Sequence, residues 1–447
     1  MEGAEPAGCT LLIGEGRLAE ATERALRAAG AEVLRLHEPN DREIREALDD
    51  SVARLVIASR FDHVSLRLAL VAEHIVPGVP MLVTIFDHDV AAHLRETVPG
   101  VRVLSMADVV APTFAGPALD SVVLTVIRGD EGVRGVVAGD DGLRAVPQTW
   151  RTAGRTRRFA HALESLIRPF DISARILIVG LAGFLTVLIV ETLVTMREHH
   201  SSFVDAFYTI AKVTVTVGPS EAADQGPDWF KLFSAVGMLL TLGFAAVLTA
   251  GLVNRLLDPR LTGVAGRSAV PRRDHVIVVG LGQVGLRLCL LLRDLGVPVV
   301  AVEQNVDAKN VRRAHDLRLP VVIGSGSSQQ LLRRLSIKRA LGVAAVTSDE
   351  VENIAIAVAA HGESEELNVT LRAGDGDETS EIGSLVQIGA IRDVYQLAAA
   401  TLAAVALGAR AETAFPHRES IFLVDDAGAI TSSTATVAAT HAEGQSS

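Results

Sequence analysis

Residues 275–285 read His-Val-Ile-Val-Val-Gly-Leu-Gly-Gln-Val-Gly, and residues 286–296 continue Leu-Arg-Leu-Cys-Leu-Leu-Leu-Arg-Asp-Leu-Gly. The branched apolar run predicts a buried strand, the glycines a G-x-G-x-x-G turn, and the mixed apolar and charged stretch an amphipathic helix. Such glycines serve a tight turn, close backbone approach to a pyrophosphate and helix–strand packing, while the helix N-terminus offers partial positive charge. A second strand over residues 299–302 ends at Glu303, about 20 residues on, where an acid accepts hydrogen bonds from a ribose diol. Gly280, Gly282, Gln283, Val284, Gly285 and Glu303 are therefore candidate cofactor-binding residues, and NAD(H) or another adenine nucleotide the expected ligand.

Subtracting 266 finds the design again near the N-terminus. Residues 10–19 read as a strand followed by G-x-G-x-x-A (Gly14, Gly16, Ala19), and Gly30 and Val33 align with Gly296 and Val299. Here His37 stands in place of Glu303, and Glu15 puts negative charge where a pyrophosphate would sit, so a structural or assembly role is the better expectation. The fold class is thus α/β, Rossmann-like, in two copies: residues 1–150 as a degenerate copy and 275–430 as the fuller one. Residues 431–447, small and polar, read as a disordered tail.

Between the copies the composition changes. The chain has 447 residues, 49% of them apolar, a mean hydropathy of +0.33 and a formal net charge of −11. Charge is distributed as −9 over residues 1–150, +4 over 151–274 and −6 over 275–447. An acidic chain gives no reason to expect a nucleic-acid partner. Two cysteines, Cys9 and Cys289, are too few for a disulfide framework. Residues 176–196 and 232–253 are apolar runs of the length that crosses a bilayer, with Glu191 their one charge. Arginines crowd residues 151–175 and 255–273, whereas the intervening stretch has three basic residues against five acids. The positive-inside rule then predicts a cell-membrane protein with two spans and both flanking domains cytoplasmic. The N-terminus, lacking a basic region before an apolar run, does not read as a secretory signal.

The connection between the spans holds a short apolar stretch, residues 203–213, then Thr214-Val215-Thr216-Val217-Gly218-Pro219-Ser220-Glu221. Span, half-length helix, Thr/Val/Gly strip and span resemble the pore module of two-helix potassium channels, placed here at residues 151–260 with a linker over 261–274. That resemblance implies four subunits directing strip carbonyls at a shared axis. Thr214, Thr216, Val217, Gly218, Pro219, Ser220 and Glu221 are the candidate pore residues. Pro219 and Ser220 depart from the TVGYG pattern: proline fixes φ and lacks an N–H, and serine disfavours positive φ. Glu221, Asp224 and Asp228 would form an acidic outer mouth. Lys212 would need a counter-ion, with Asp205 or Glu191 expected. Gly237, Gly243 and Gly251 suggest close helix packing for at least two of them.

The whole order of parts resembles the potassium-conductance regulator family, whose soluble unit is called the RCK or TrkA N-terminal domain. Residues 347–353, Thr-Ser-Asp-Glu-Val-Glu-Asn, look like the family's T-x-D-D-x-x-N strand end, adding Asp349 and Asn353 to the candidate site; Ser59–Ser65 is its degraded counterpart. The family's G-D-A-T is here Gly324-Ser325-Gly326-Ser327, without the acid. Residues 136–146 and 421–430 read as small strand units, each with paired aspartates that are exposed turn residues. The resemblance implies a non-enzymatic, ligand-gated monovalent cation channel, K+ the expected ion, in a homo-oligomer, by analogy a tetramer. The rival readings are a non-conducting sensor or regulatory subunit and a membrane-anchored NAD-dependent oxidoreductase.

Overall fold

The computed structural model describes residues 8–49, 51–129, 132–139, 142–148, 150, 172–214, 226–257, 270–373 and 389–436. The chain divides into two compact units, one of Met1–Arg158 with Val270–Ser447 and one of Phe159–Ala269.

The first unit joins both Rossmann-like copies. In the N-terminal copy β1 (Cys9–Ile13), α1 (Gly16–Ala28), β2 (Val33–Leu36), α2 (Asp41–Ala47), β3 (Val52–Ile57), α3 (Asp62–Ile75), β4 (Met81–Thr84), α4 (His88–Thr97), β5 (Arg102–Leu104) and α5 (Met106–Leu119) alternate. The five strands pair in parallel in the order β2-β1-β3-β4-β5. A small antiparallel sheet follows, β6 (Val123–Gly129), β7 (Gly132–Gly139) and β8 (Gly142–Pro147).

The second unit holds α6 (Ile172–Glu198), α7 (Phe203–Thr214) and α8 (Asp228–Leu257). Residues Ile176–Glu198 and Asp228–Val253 are long and apolar enough to cross a membrane, and only 17% of the apolar window in each is buried within the chain. Glycines let α6 and α8 approach: a Cβ on Gly180 would lie 3.2 Å from the Leu248 backbone, and one on Gly251 3.4 Å from Leu177. A Cβ on Gly237 would run into the Glu191 carboxyl, whereas one on Gly243 would meet nothing. Two of the three second-span glycines are thus packing positions.

The C-terminal copy runs β9 (Val276–Val279), α9 (Gln283–Asp294), β10 (Val299–Glu303), α10 (Lys309–Asp316), β11 (Val321–Ile323), α11 (Gln329–Arg334), β12 (Gly342–Ala345), α12 (Glu350–Glu363), β13 (Asn368–Ala373), β14 (Ala390–Asp393) and α13 (Val394–Ala406). Its six parallel strands are ordered β11-β10-β9-β12-β13-β14, the doubly wound dinucleotide-fold order. The antiparallel strands β15 (Thr413–His417), β16 (Ser420–Val424) and β17 (Ile430–Thr436) complete it. The tail expected from residue 431 therefore starts too early. β17 is an edge strand of Thr and Ser paired to β16 on one side only, so its composition mimics a tail.

The copies differ by a deletion. Their offset widens from 266 at Gly30/Gly296 to 288 at Ser59/Thr347, and the residues missing from the first copy include the counterparts of β11 and α11. Gly30 and Gly296 end equivalent helices at φ +83° and +79°, the left-handed cap that glycine tolerates. The first Gly loop follows a different path: positive φ falls on Gly16, whereas in the second copy it falls on Gly280.

Both copies share one core. α5 packs on α9, β12 and β13, and α13 packs reciprocally on α1 and β4, so each copy lends a buried helix to the other. Apolar side chains from Leu12 and Phe114 through Val278 and Leu397 form a continuous cluster. Arg54 and Arg102 of the first copy donate to Ala406 O (2.7 Å) and Val405 O (3.1 Å) in the last turn of α13, where cations meet the negative helix end.

Candidate functional site

Strand β9 is wholly buried and delivers the chain to Gly280 at φ +95°, where a Cβ would lie 2.8 Å from Thr347 N. Gly282 caps α9 with extended backbone and open space where its side chain would be. Gly285 faces the Gly280 carbonyl so closely that a Cβ would collide with it. One glycine thus makes the turn, one leaves a cradle over the helix N-terminus, and one lets helix and strand touch.

Glu303 ends β10 beside this loop. Its Oε2 accepts from Leu281 N–H (2.8 Å) and its Oε1 from Asn305 N–H (3.0 Å), which ties the acid to the loop while leaving lone pairs for a diol. Asp349 caps α12, accepting from Glu352 N–H at 3.0 Å. Asn353 is fully buried: its Oδ1 accepts from Thr347 N–H and its Nδ2 donates to Thr347 O and Arg372 O. It shapes the β12 and β13 ends against the loop. Gln283 reaches the cleft, whereas Val284 is 4% exposed and anchors α9.

These elements enclose a cleft of about 420 Å³, with Glu303 and Gly326 on one side and Ser348 and Arg372 on the other. Its size suits a nucleotide-class ligand. Lys309 and Arg372, not visible in the motif, add cationic groups. Burial, then the charges of Asp349 and Glu303, raise the Glu352 carboxyl above its usual range. The residues fit a nucleotide: backbone N–H groups and a helix N-terminus for phosphate, and an acid at the ribose position.

Among the described residues the first copy has no counterpart of β11, its sheet ending at β2. Glu15 hydrogen-bonds and repels Glu38, which raises the Glu15 carboxyl, and Glu38 itself sits at φ +38°.

In the second unit, Thr214 is the last residue of α7, its hydroxyl donating to Ile210 O at 2.9 Å. Thr216, Val217, Gly218, Pro219, Ser220 and Glu221 lie outside the described residues, as does Asp224. Among the described residues Lys212 pairs with neither Asp205 nor Glu191: its ammonium lies 5.6 Å from the Tyr208 ring centroid. Asp205 instead accepts from Ser202 Oγ (2.7 Å) at the start of α7, and Glu191 is turned to Gly237 of α8. Asp228 pairs with Lys231 at 3.7 Å. Asp425 accepts from Ala429 N–H (2.7 Å) as a turn residue; Asp140 and Asp141 lie outside the described residues.

Residues 276–394 match the TrkA-N domain family. This copy is a TrkA-N domain. Ahead of it in the sequence stand the two apolar helices. The chain is 22% identical over 223 residues to Potassium channel protein 1 of Methanocaldococcus jannaschii, covering 48% of this chain and 65% of that one. It is 26% identical over 188 residues to an uncharacterized protein of Methanothermus fervidus, covering 41% and 29%. The chain thus spans less than two thirds of either relative. Among solved structures, the GsuK channel bound to NAD aligns over 91% of this chain and 64% of that one at 13% identity, TM-score 0.48. Within the TrkA-N domain lie all the nucleotide-site residues named from the sequence, from Gly280 to Asn353.

Proposed function

We propose that the chain is the subunit of a nucleotide-gated monovalent cation channel, K+ its ion, with four subunits around the pore and the Rossmann-like copies in the cytoplasm. The observation that carries this reading is the Gly280–Glu303 cleft, a phosphate cradle on the N-terminus of α9, in a chain whose β9 follows α8 in sequence. The arginine-rich flanks of the two apolar helices support the topology. When bound, the nucleotide supplies binding energy and no chemistry: loop amides hold phosphate, Glu303 holds ribose, and Lys309 and Arg372 offset charge. Moving a gate from 1:99 to 99:1 takes about 5.5 kcal/mol of differential affinity, which four sites share at about 1.4 kcal/mol each. The protein is in this reading not an enzyme.

Flux of K+, Rb+ and Na+ into liposomes holding the purified protein, with and without NADH or ADP, is the test. Nucleotide-dependent K+ flux is expected; absence of any monovalent flux under all conditions refutes it. Pro219 and Ser220 favour a second reading, a non-conducting sensor. Under that reading the double substitution Pro219→Tyr, Ser220→Gly creates a current the parent lacks.

A further inference from the structure

The segment that the sequence marks as degraded, Ser59–Ser65, does not face its own Gly loop alone. A second cavity of about 400 Å³ opens between the copies, lined by Arg60, Phe61, His63 and Phe86 of the first and by Gln283, Lys309, Ser348, Arg372 and Tyr395 of the second. Gln283, Lys309, Ser348 and Arg372 also line the nucleotide cleft, so the two chambers adjoin across the Gly loop.

The new chamber has a consistent chemistry. Arg60 lies over the Phe61 ring at 4.7 Å, with His63 at 5.7 Å from the same ring, and Phe61 keeps 38% of its surface exposed. Opposite, Arg372 stands 6.0 Å from the Tyr395 ring centroid. Two cation–aromatic pairs, one from each copy, thus face one cavity. Rings backed by guanidinium groups stack planar bases, and the cations suit a phosphate-bearing ligand. The position also fits the topology. Glu303, which lines the adjoining cleft, ends β10 on one side of β9, whereas Ser348 and Arg372, which line both, lie at the ends of β12 and β13 on the other. In a doubly wound sheet a dinucleotide straddles that reversal of strand order, one nucleoside to each side.

We propose that the first copy reads the ligand of the second: the distal nucleoside of a dinucleotide held at Gly280–Gly285 enters the chamber between Arg60–Phe61 and Arg372–Tyr395. This rests on the nucleotide-binding reading above. It assigns the degenerate copy a role that its own incomplete loop does not have, and makes a dinucleotide, unlike a mononucleotide, a bridge between copies. Asp87 of the first copy, paired with Lys309 (3.5 Å) and Arg313 (3.7 Å), already joins the copies at the chamber's edge.

The experiment is titration of the full-length protein in detergent with NADH and, separately, with ADP, by calorimetry and by nicotinamide fluorescence. Phe61→Ala and Arg60→Ala are each expected to weaken NADH about tenfold, the scale of one stacked base, and to leave ADP within twofold. The Phe61→Ala variant also loses the fluorescence change of bound NADH. Both side chains are exposed, so the variants are expected to fold, and an unchanged unfolding midpoint establishes this before binding is read. Unchanged NADH affinity in both variants overturns the proposal while leaving the cleft reading standing, as does equal loss of NADH and ADP. ATP binding that exceeds NADH and depends on Arg60 overturns it in favour of a phosphate subsite. Failure of the parent to bind either ligand removes the cleft reading itself.

Discussion

Replacing Arg392 tests how the two copies are joined. α5 contains Pro112 and Pro117 and is nearly all buried. Pro117 has no N–H, so the carbonyl four residues back, on Thr113, loses its helical partner. Arg392 of β14 supplies one from the other copy: its Nε donates to Thr113 O (3.2 Å) and Oγ1 (3.0 Å), and its Nη2 to Leu124 O (3.5 Å). The side chain is 6% exposed, and burial pulls the guanidinium down to about 10. Arg392→Met leaves the buried Thr113 carbonyl without that donor, at about 1–3 kcal/mol, while Leu124 O keeps the Thr113 hydroxyl at 3.4 Å. Relief of the buried guanidinium charge opposes this cost. The net single loss is therefore small. The sharper quantity is the coupling to Pro117→Ala, which restores an N–H to Thr113 O. In that background Arg392→Met should cost about 1–3 kcal/mol less, one orphaned carbonyl having been removed. Urea unfolding of full-length protein in detergent, followed through Trp150 in a Trp229→Phe background, measures the cycle. Equal cost of Arg392→Met in both backgrounds refutes the reasoning.

Gly282→Ala should leave unfolding midpoints within about 0.5 kcal/mol yet abolish measurable nucleotide binding, since its methyl enters open cradle space, whereas Gly285→Ala should destabilise by about 1–3 kcal/mol against the Gly280 carbonyl; denaturation and calorimetry separate them. Glu15→Gln should raise stability at neutral pH, because the folded carboxyl is raised by Glu38 and its ionised form opposes folding. That gain should vanish as pH falls through the raised folded value, when the parent Glu15 is itself neutral, as midpoints against pH will report. In the second unit, Gly237→Leu should disrupt α6–α8 packing through Glu191 while Gly243→Leu is tolerated, read as thermal aggregation in detergent.

Much of the site was legible because its parts are local. Gly280, Gly282 and Gly285 belong to one turn, and Glu303 follows at the distance one helix and one strand require. Asn353 was legible as a member of the site, but its place, buried behind Thr347, depends on the neighbouring Arg372 carbonyl of β13. Lys309, Arg372 and Tyr395 carry no motif, since each reaches the cleft or the adjoining chamber from the end of a different element. The Lys212 pairing misled because helical spacing ignores competitors: Ser202 takes Asp205 at the helix start, and Gly237 makes room for Glu191 on α8.

Periodicity and glycine spacing alone determined two Rossmann-like copies around two apolar spans, because strand, turn and helix signals lie within about 30 residues of one another. Only the tertiary structure decided that the copies share one core, exchange α5 and α13, and bring Arg60–Phe61 to within one cavity of Arg372–Tyr395. Those contacts join residues some 300 positions apart. Distant side chains meet through packing of buried helices, and no local pattern in the chain encodes which face of one copy the other will cover.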